Sequence, residues 1–225
     1  MPDDENIEIE APKIRVLCLV DGFNLYHSLD WFEGGVTKTD SLRYRRYRWL
    51  SLKNLANCYV RPKSEVLVGV QYFTTFAEWD PAKTIRHRIY IRAQESEDTI
   101  VVFGKFKQKR VKCKAQCGME FSSWEEKRTD VNIARAMIEA AYLDGFDRLI
   151  LISGDSDQIP ALEFIKENMP AKRLTVVVPI GRSADELKSV AHSSEKMRED
   201  HLQRAQFPTR VLSKTGEWLQ KPDTW

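Results

Sequence analysis

Four aspartates in this chain are placed where a carboxylate can do chemistry. Asp21 directly follows the apolar run 14–20, and Asp155 and Asp157 follow a second run, 149–152, within Ser153-Gly154-Asp155-Ser156-Asp157. Asp130 stands beside Thr129 at the start of a segment with helical spacing, with Glu125 and Glu126 just upstream. Carboxylates gathered in one place repel one another, and the repulsion is relieved by a cation or by protons. An all-oxygen ligand set suits a hard divalent ion such as Mg²⁺ or Mn²⁺, and such an ion serves phosphoryl chemistry. Each acid alone also has a plain structural reading, because Asp is a favoured helix cap and turn former. Only convergence of the set would make a site.

Convergence depends on the elements that carry these residues. The runs 14–20, 65–73, 149–152 and 174–178 are nearly continuous in apolar, mostly β-branched residues, the pattern of strands buried on both faces of a parallel sheet. Between them lie helical patterns. Pro81 opens one that runs to about residue 96, and another starts at Thr129, with Ile133, Met137, Ile138, Ala141 and Tyr142 on one face and Gly145 as its stop. A third is expected over 156–168, with Pro160 tolerated in its first turn. The alternation predicts an α/β fold, a three-layer α/β/α sandwich with a mainly parallel central sheet and right-handed crossovers. Ligands of such sheets bind at the carboxyl ends of the strands, so Asp21 and Asp155 share a rim if their strands are neighbours.

The chain of 225 residues has 42% hydrophobic and 30% charged residues, a mixture that excludes a disordered chain and suits one globular domain. Its net charge of +2 selects no partner. No apolar run reaches the ~18–20 residues of a membrane span, and residues 1–10 lack the cationic and apolar regions of a signal peptide. The expectation is a cytoplasmic protein with no membrane partner. Residues 1–12 read as a disordered acidic terminus, 13–192 as the domain, and 193–225 as an extension. This last segment has no strong periodicity and contains Pro208 and Pro222. With Trp218 and Trp225 it is expected to pack on the domain or on a second subunit, which leaves a homo-oligomer open.

Two basic segments could neutralise phosphates, the main source of nucleic-acid affinity. Arg43, Arg45, Arg46 and Arg48 interleave with Tyr44, Tyr47 and Trp49, and Lys105, Lys107, Lys109, Arg110, Lys112 and Lys114 alternate with Phe106 and Val111 as on an exposed strand. Both also fit solvated faces, and edge lysines protect sheets from aggregation. Of four cysteines, Cys113 and Cys117 are close enough to share a structural zinc ion, but two ligands are not four. Scattered cysteines give no disulfide framework.

The stretches Val20-Asp21-Gly22-Phe23-Asn24-Leu25-Tyr26, Glu126-Lys127-Arg128-Thr129-Asp130-Val131-Asn132-Ile133-Ala134 and Ser153-Gly154-Asp155-Ser156-Asp157, in this order, resemble the NYN domain in its LabA-like branch, related to PIN and FLAP-type nucleases. The likeness spans about residues 14–190. It implies a PIN-like Rossmannoid fold, aspartates that hold a metal, and endonucleolytic cleavage of RNA by in-line attack of water on a phosphodiester. By position, Asp21, Asp130, Asp155 and Asp157 match the acidic residues, and Asn24 and Ser153 the polar ones. Lys127 is a candidate for contacting the phosphate; Arg43, Arg45, Arg46, Lys107 and Lys109 are candidates for holding RNA. One departure is the cysteine pair, more closely spaced in relatives. Two other readings stay open. One is a module that binds RNA or nucleotide without turnover. The other is an oxidoreductase, since relatives in this branch include hydroxylases of a pyridine-ring metabolite, although Gly-x-Gly-x-x-Gly is absent.

Overall fold

A computed structural model of the chain describes residues 12–30, 43–112 and 119–225. The expected acidic terminus and the Cys113/Cys117 pair therefore lie outside the described residues, apart from Pro12.

Six parallel strands form the central sheet in the order β3-β2-β1-β6-β7-β8. They are β1 (Ile14–Asp21), β2 (Glu65–Thr74), β3 (Ile100–Phe103), β6 (Arg148–Ile152), β7 (Arg173–Val178) and β8 (Ser193–Lys196). The chain first builds outward from β1 to β3, then returns to the other side of β1. The strand order reverses between β1 and β6, and that reversal opens a crevice at the carboxyl ends.

Side chains alternate across a strand, so β1 feeds both cores at once. Val16, Cys18 and Val20 face α1 (Gly22–Ser28), α2 (Leu52–Asn57), α3 (Pro81–Ser96) and α7 (Glu199–Arg204). Leu17 and Leu19 face α4 (Thr129–Tyr142), α5 (Ile159–Asn168) and α6 (Asp185–Val190). The result is the α/β/α sandwich that the alternating pattern predicts. Each core is filled by fully buried Leu, Ile, Met and aromatic side chains, each contributing roughly 1.5–3 kcal/mol by burial.

Between β3 and α4 the chain leaves the sheet as a two-stranded antiparallel arm, β4 (Lys105–Lys112) and β5 (Glu120–Lys127). The arm returns directly into α4, so its base stands beside Asp130.

Two elements differ from the sequence reading. The helix expected over 156–168 begins as a 3-10 turn, Ser156–Gln158, and becomes α5 only at Ile159. Pro160 has no N–H to offer the carbonyl four residues back, so the first turn cannot close as an α-helix. The sequence puts the end of the domain at 192, yet β8 begins at Ser193 and extends the sheet. Its sequence, Ser-Ser-Glu-Lys, is exposed at the edge and lacks the apolar signal of a buried strand.

After α7, a hairpin of β9 (Arg210–Leu212) and β10 (Trp218–Gln220) turns at Gly216, whose φ of +83° favours glycine. Trp225 rests on Tyr90 and Trp49, at ring separations of 5.4 and 6.3 Å. Trp218 stays exposed under the guanidinium of Arg210. Among the described residues, no helix is long and apolar enough to cross a membrane.

Candidate metal centre

Asp21 ends β1 and caps α1. Its Oδ1 accepts from the Asn24 backbone N–H at 2.9 Å, and its Oδ2 from the Ser153 hydroxyl at 2.8 Å. The helix can start this close to β2 only because residue 22 is glycine: a Cβ there would lie 2.4 Å from Tyr72 Cε2 and 2.5 Å from the Phe73 carbonyl oxygen. One further bond crosses between the ends of β1 and β6, and another tightens the turn after β6. Asn24 Oδ1 accepts from Gly154 N at 3.1 Å, and Ser153 Oγ accepts from Asp155 N at 3.0 Å.

Asp155 caps the 3-10 turn by accepting from the Asp157 N–H at 3.0 Å. Asp130 lies in the first turn of α4, entered through Arg128 at a left-handed φ of 77°. A non-glycine residue in that region costs roughly 1–2 kcal/mol, so the turn that delivers Asp130 is held by its surroundings. Oxygens of Asp21, Asp130 and Asp155 lie within 4.8 Å of one another. Capping and clustering are thus not alternatives here, since Asp21 and Asp155 do both.

Burial raises the carboxyl of Asp21 to about 6, against the two hydrogen bonds that lower it and with the charges of Asp130 and Asp155 adding to the rise. Asp130 is also raised, by burial first and then by Asp155 and Asp157. Among the described residues none of the three forms a salt bridge. Three oxygen donors, crowded and uncompensated, are the donor chemistry of a hard divalent cation.

The other expected residues are distributed differently. Asp157 is exposed and stands outside the set of three, although its charge reaches Asp130. Asn24 and Ser153 hold the set together. Lys127 binds Glu125 at 2.7 Å, on the arm face that also carries Lys105, Lys107 and Lys109. That face is opposite the one bearing Phe106, Trp124 and Glu126, because strand neighbours point to opposite sides. Arg43 and Arg46 pair with Glu199, and Arg45 and Arg48 with Asp30, so much of this segment's charge is already answered within the protein.

Two features escape the sequence reading. Glu126 is a further acid of the centre: burial raises it to about 7, a hydrogen bond from Thr129 opposes the rise, and the charges of Asp21 and Asp130 add to it. Its position three residues before Thr129 is visible in the sequence, but not its orientation. Gln158 is buried with Nε2 3.5 Å from Asp130 Oδ1, and its Oε1 has no partner. It directly follows Asp157, in a run where the acids are the signal.

Comparison with known proteins bears on the family and the fold. The chain matches the NYN domain family over residues 15–197. It is 24% identical to 6-hydroxy-3-succinoylpyridine 3-monooxygenase HspA of Pseudomonas putida, an alignment covering 97% of this chain and 77% of that protein. The crystal structure of VPA0982 from Vibrio parahaemolyticus, a protein of unknown function, superposes with a TM-score of 0.55 at 21% identity, covering 89% of this chain and 98% of that one. At that identity the likeness concerns the fold.

Proposed function

Because the chain belongs to the NYN domain family, we propose that it is a metal-dependent endoribonuclease that works at Asp21, Asp130 and Asp155. The observation that carries this reading is the approach of three carboxylates from three separate elements to within 4.8 Å, at the carboxyl end of the sheet. When bound there, Mg²⁺ or Mn²⁺ would supply Lewis acidity toward the phosphodiester and lower the pKa of water.

The chain's own groups have distinct tasks in this reading. Asp21, Asp130 and Asp155 hold the ion. Ser153 and the Asn24 backbone keep Asp21 oriented and favour its charged form. The Asn24 side-chain amide nitrogen, whose oxygen is already committed to Gly154, can donate to a phosphate oxygen. Asp157, exposed beside the set, accepts a hydrogen bond from the attacking water. Lys105, Lys107 and Lys109 on the arm bind RNA phosphates, while Lys127, Arg43, Arg45 and Arg46 can contribute only after exchanging their present carboxylate partners. The reading is tested by incubating a mixed-sequence RNA with Mn²⁺, Mg²⁺ or EDTA, beside Asp21→Asn as a control for contaminating nuclease. Metal-dependent cleavage lost in the variant is the expected result. An intact RNA with ion binding retained would move the reading to a module that binds without turnover.

One observation favours a second reading. An aromatic-lined cavity adjoins the acids, and the Pseudomonas putida relative is named as a monooxygenase of a pyridine compound. Oxidation of NADH dependent on such a pyridine substrate, with no cleavage of RNA, would favour it over hydrolysis.

A further inference from the structure

Beside the acidic centre lies a cavity of about 370 Å³, in the range of small-molecule sites, ~300–1,000 Å³. Separate parts of the chain build its walls: Tyr26 comes from α1, Trp79 from the segment before α3, and Phe106 and Trp124 from the arm. Trp79 and Trp124 stack at 4.4 Å with ring planes 7° apart, and Phe106 meets Trp79 edge-on at 4.6 Å. Even so, Trp79 is 40% exposed, and Trp124 and Tyr26 36% each. This is a large aromatic surface left open at one place.

The lining also has polar groups. His87 Nε2 lies 3.2 Å from Thr74 Oγ1, and its Nδ1 has no partner among the described residues. Burial lowers its pKa to about 4, so the imidazole is neutral and can read a donor or an acceptor. Lys83 and Arg86 also line the cavity. Lys83 has only a loose pairing with Asp80, at 3.7 Å, and Arg86 has no ion pair among the described residues. Gly22, next to Asp21, and Glu126, which feels Asp21 and Asp130, border the same space.

Flat rings, a neutral polar group and under-used cations, lining one cavity that Gly22 and Glu126 border, match the parts of one nucleotide unit. From this juxtaposition we infer that the cavity receives a single unstacked base of single-stranded RNA, while Lys83 and Arg86 hold the phosphates next to it. Bases splayed out of a strand are commonly bound by stacking on aromatic side chains, and a duplex keeps its bases inside and could not fill the cavity. The assignment of an RNA strand rests on the hydrolytic reading above, but its test needs no cleavage.

The full chain is titrated in EDTA with a fluorescent single-stranded oligoribonucleotide and with an abasic strand of the same backbone, and binding is followed by anisotropy. The intact strand is expected to bind about ten-fold tighter, from the stacking of one base. That ratio should fall toward one in Trp79→Ala and, because Trp79 also supports the arm, independently in Tyr26→Ala. Equal binding of the two strands, or a ratio that survives in both variants, overturns the inference. So does a free mononucleotide that binds as tightly as the strand, or a pyridine carboxylate that displaces RNA where nucleotides do not. Cleavage is assayed separately with Mn²⁺. An absence of cleavage beside a base-dependent ratio would count against hydrolysis and in favour of the cavity.

Discussion

The Ser153 hydroxyl donates to Asp21 Oδ2 at 2.8 Å, joining the ends of β1 and β6 across the point where the strand order reverses. The same oxygen accepts from Asp155 N, so one hydroxyl orients one proposed ligand and the backbone of another. Ser153→Ala should therefore raise the Asp21 carboxyl further above about 6, because the lost bond favours the charged form. Groups that orient metal ligands typically change affinity ~10–100-fold, and a loss of that size is expected for Mn²⁺, measured by calorimetry. Unchanged affinity would mean that Ser153 does not orient a metal ligand.

Asp21→Asn should abolish metal-dependent cleavage and yet stabilise the metal-free protein. Asp21 is almost fully buried, and a rise from 3.8 to about 6 corresponds to about 3 kcal/mol of unfavourable charge burial at high pH. The sign follows from linkage. A carboxyl raised in the folded state contributes stability that is complete below about 4 and is lost as pH rises through about 6. The melting temperature of Asp21→Asn should thus exceed that of the parent most at pH 8, with the gap narrowing toward pH 5. His87, held down to about 4, works the other way, since its neutral form is lost as the acid range is entered. Both proteins share it, so its contribution cancels in the difference between their melting curves.

The sequence reveals the acids better than it reveals their surroundings. Asp21 and Asp155 are legible because each follows a strand buried on both faces, whose unbroken apolar run marks where the carboxyl end must be. Asp130 is legible as a helix start, but that its helix faces the β1–β6 crevice is a product of topology. Glu126 lies on an arm whose alternating pattern does not say which face turns inward. The cavity is not legible at all, since Tyr26, Trp79, Phe106 and Trp124 each look ordinary in their own segment. Arg43 and Arg46 read as free cations because Glu199, which answers them, stands more than 150 positions away.

Stability at the opposite end of the sheet should be separable from the site. Arg148, at the start of β6, donates to Glu65 Oε2 at 2.8 Å and to the Tyr59 carbonyl at 2.7 Å, and Glu65 is buried at the start of β2. Removing one partner of a buried pair strands the other charge, at a cost of ~3–5 kcal/mol. Arg148→Met should lose stability of that order in urea denaturation, and Arg148→Met/Glu65→Leu should lose less. Equal losses in the single and double variants would show that packing, not the stranded carboxylate, sets the cost.

Glu126 links the acids to the cavity, and its charge should set how the centre responds to pH. Its carboxyl is raised to about 7, in part by the charges of Asp21 and Asp130, and that of Asp21 is raised to about 6. Their protons leave in steps that belong to the group, not to either residue. An ion can enter only as those protons leave, so Mn²⁺ affinity should climb as pH rises from about 5 to about 7.5. In Glu126→Gln the group that titrates near 7 is gone, so the rise should be complete at lower pH, near the Asp21 value of about 6. Calorimetric titrations across that range check this. If the two proteins rise together, Glu126 is electrostatically silent at the centre, and its raised carboxyl reflects burial alone.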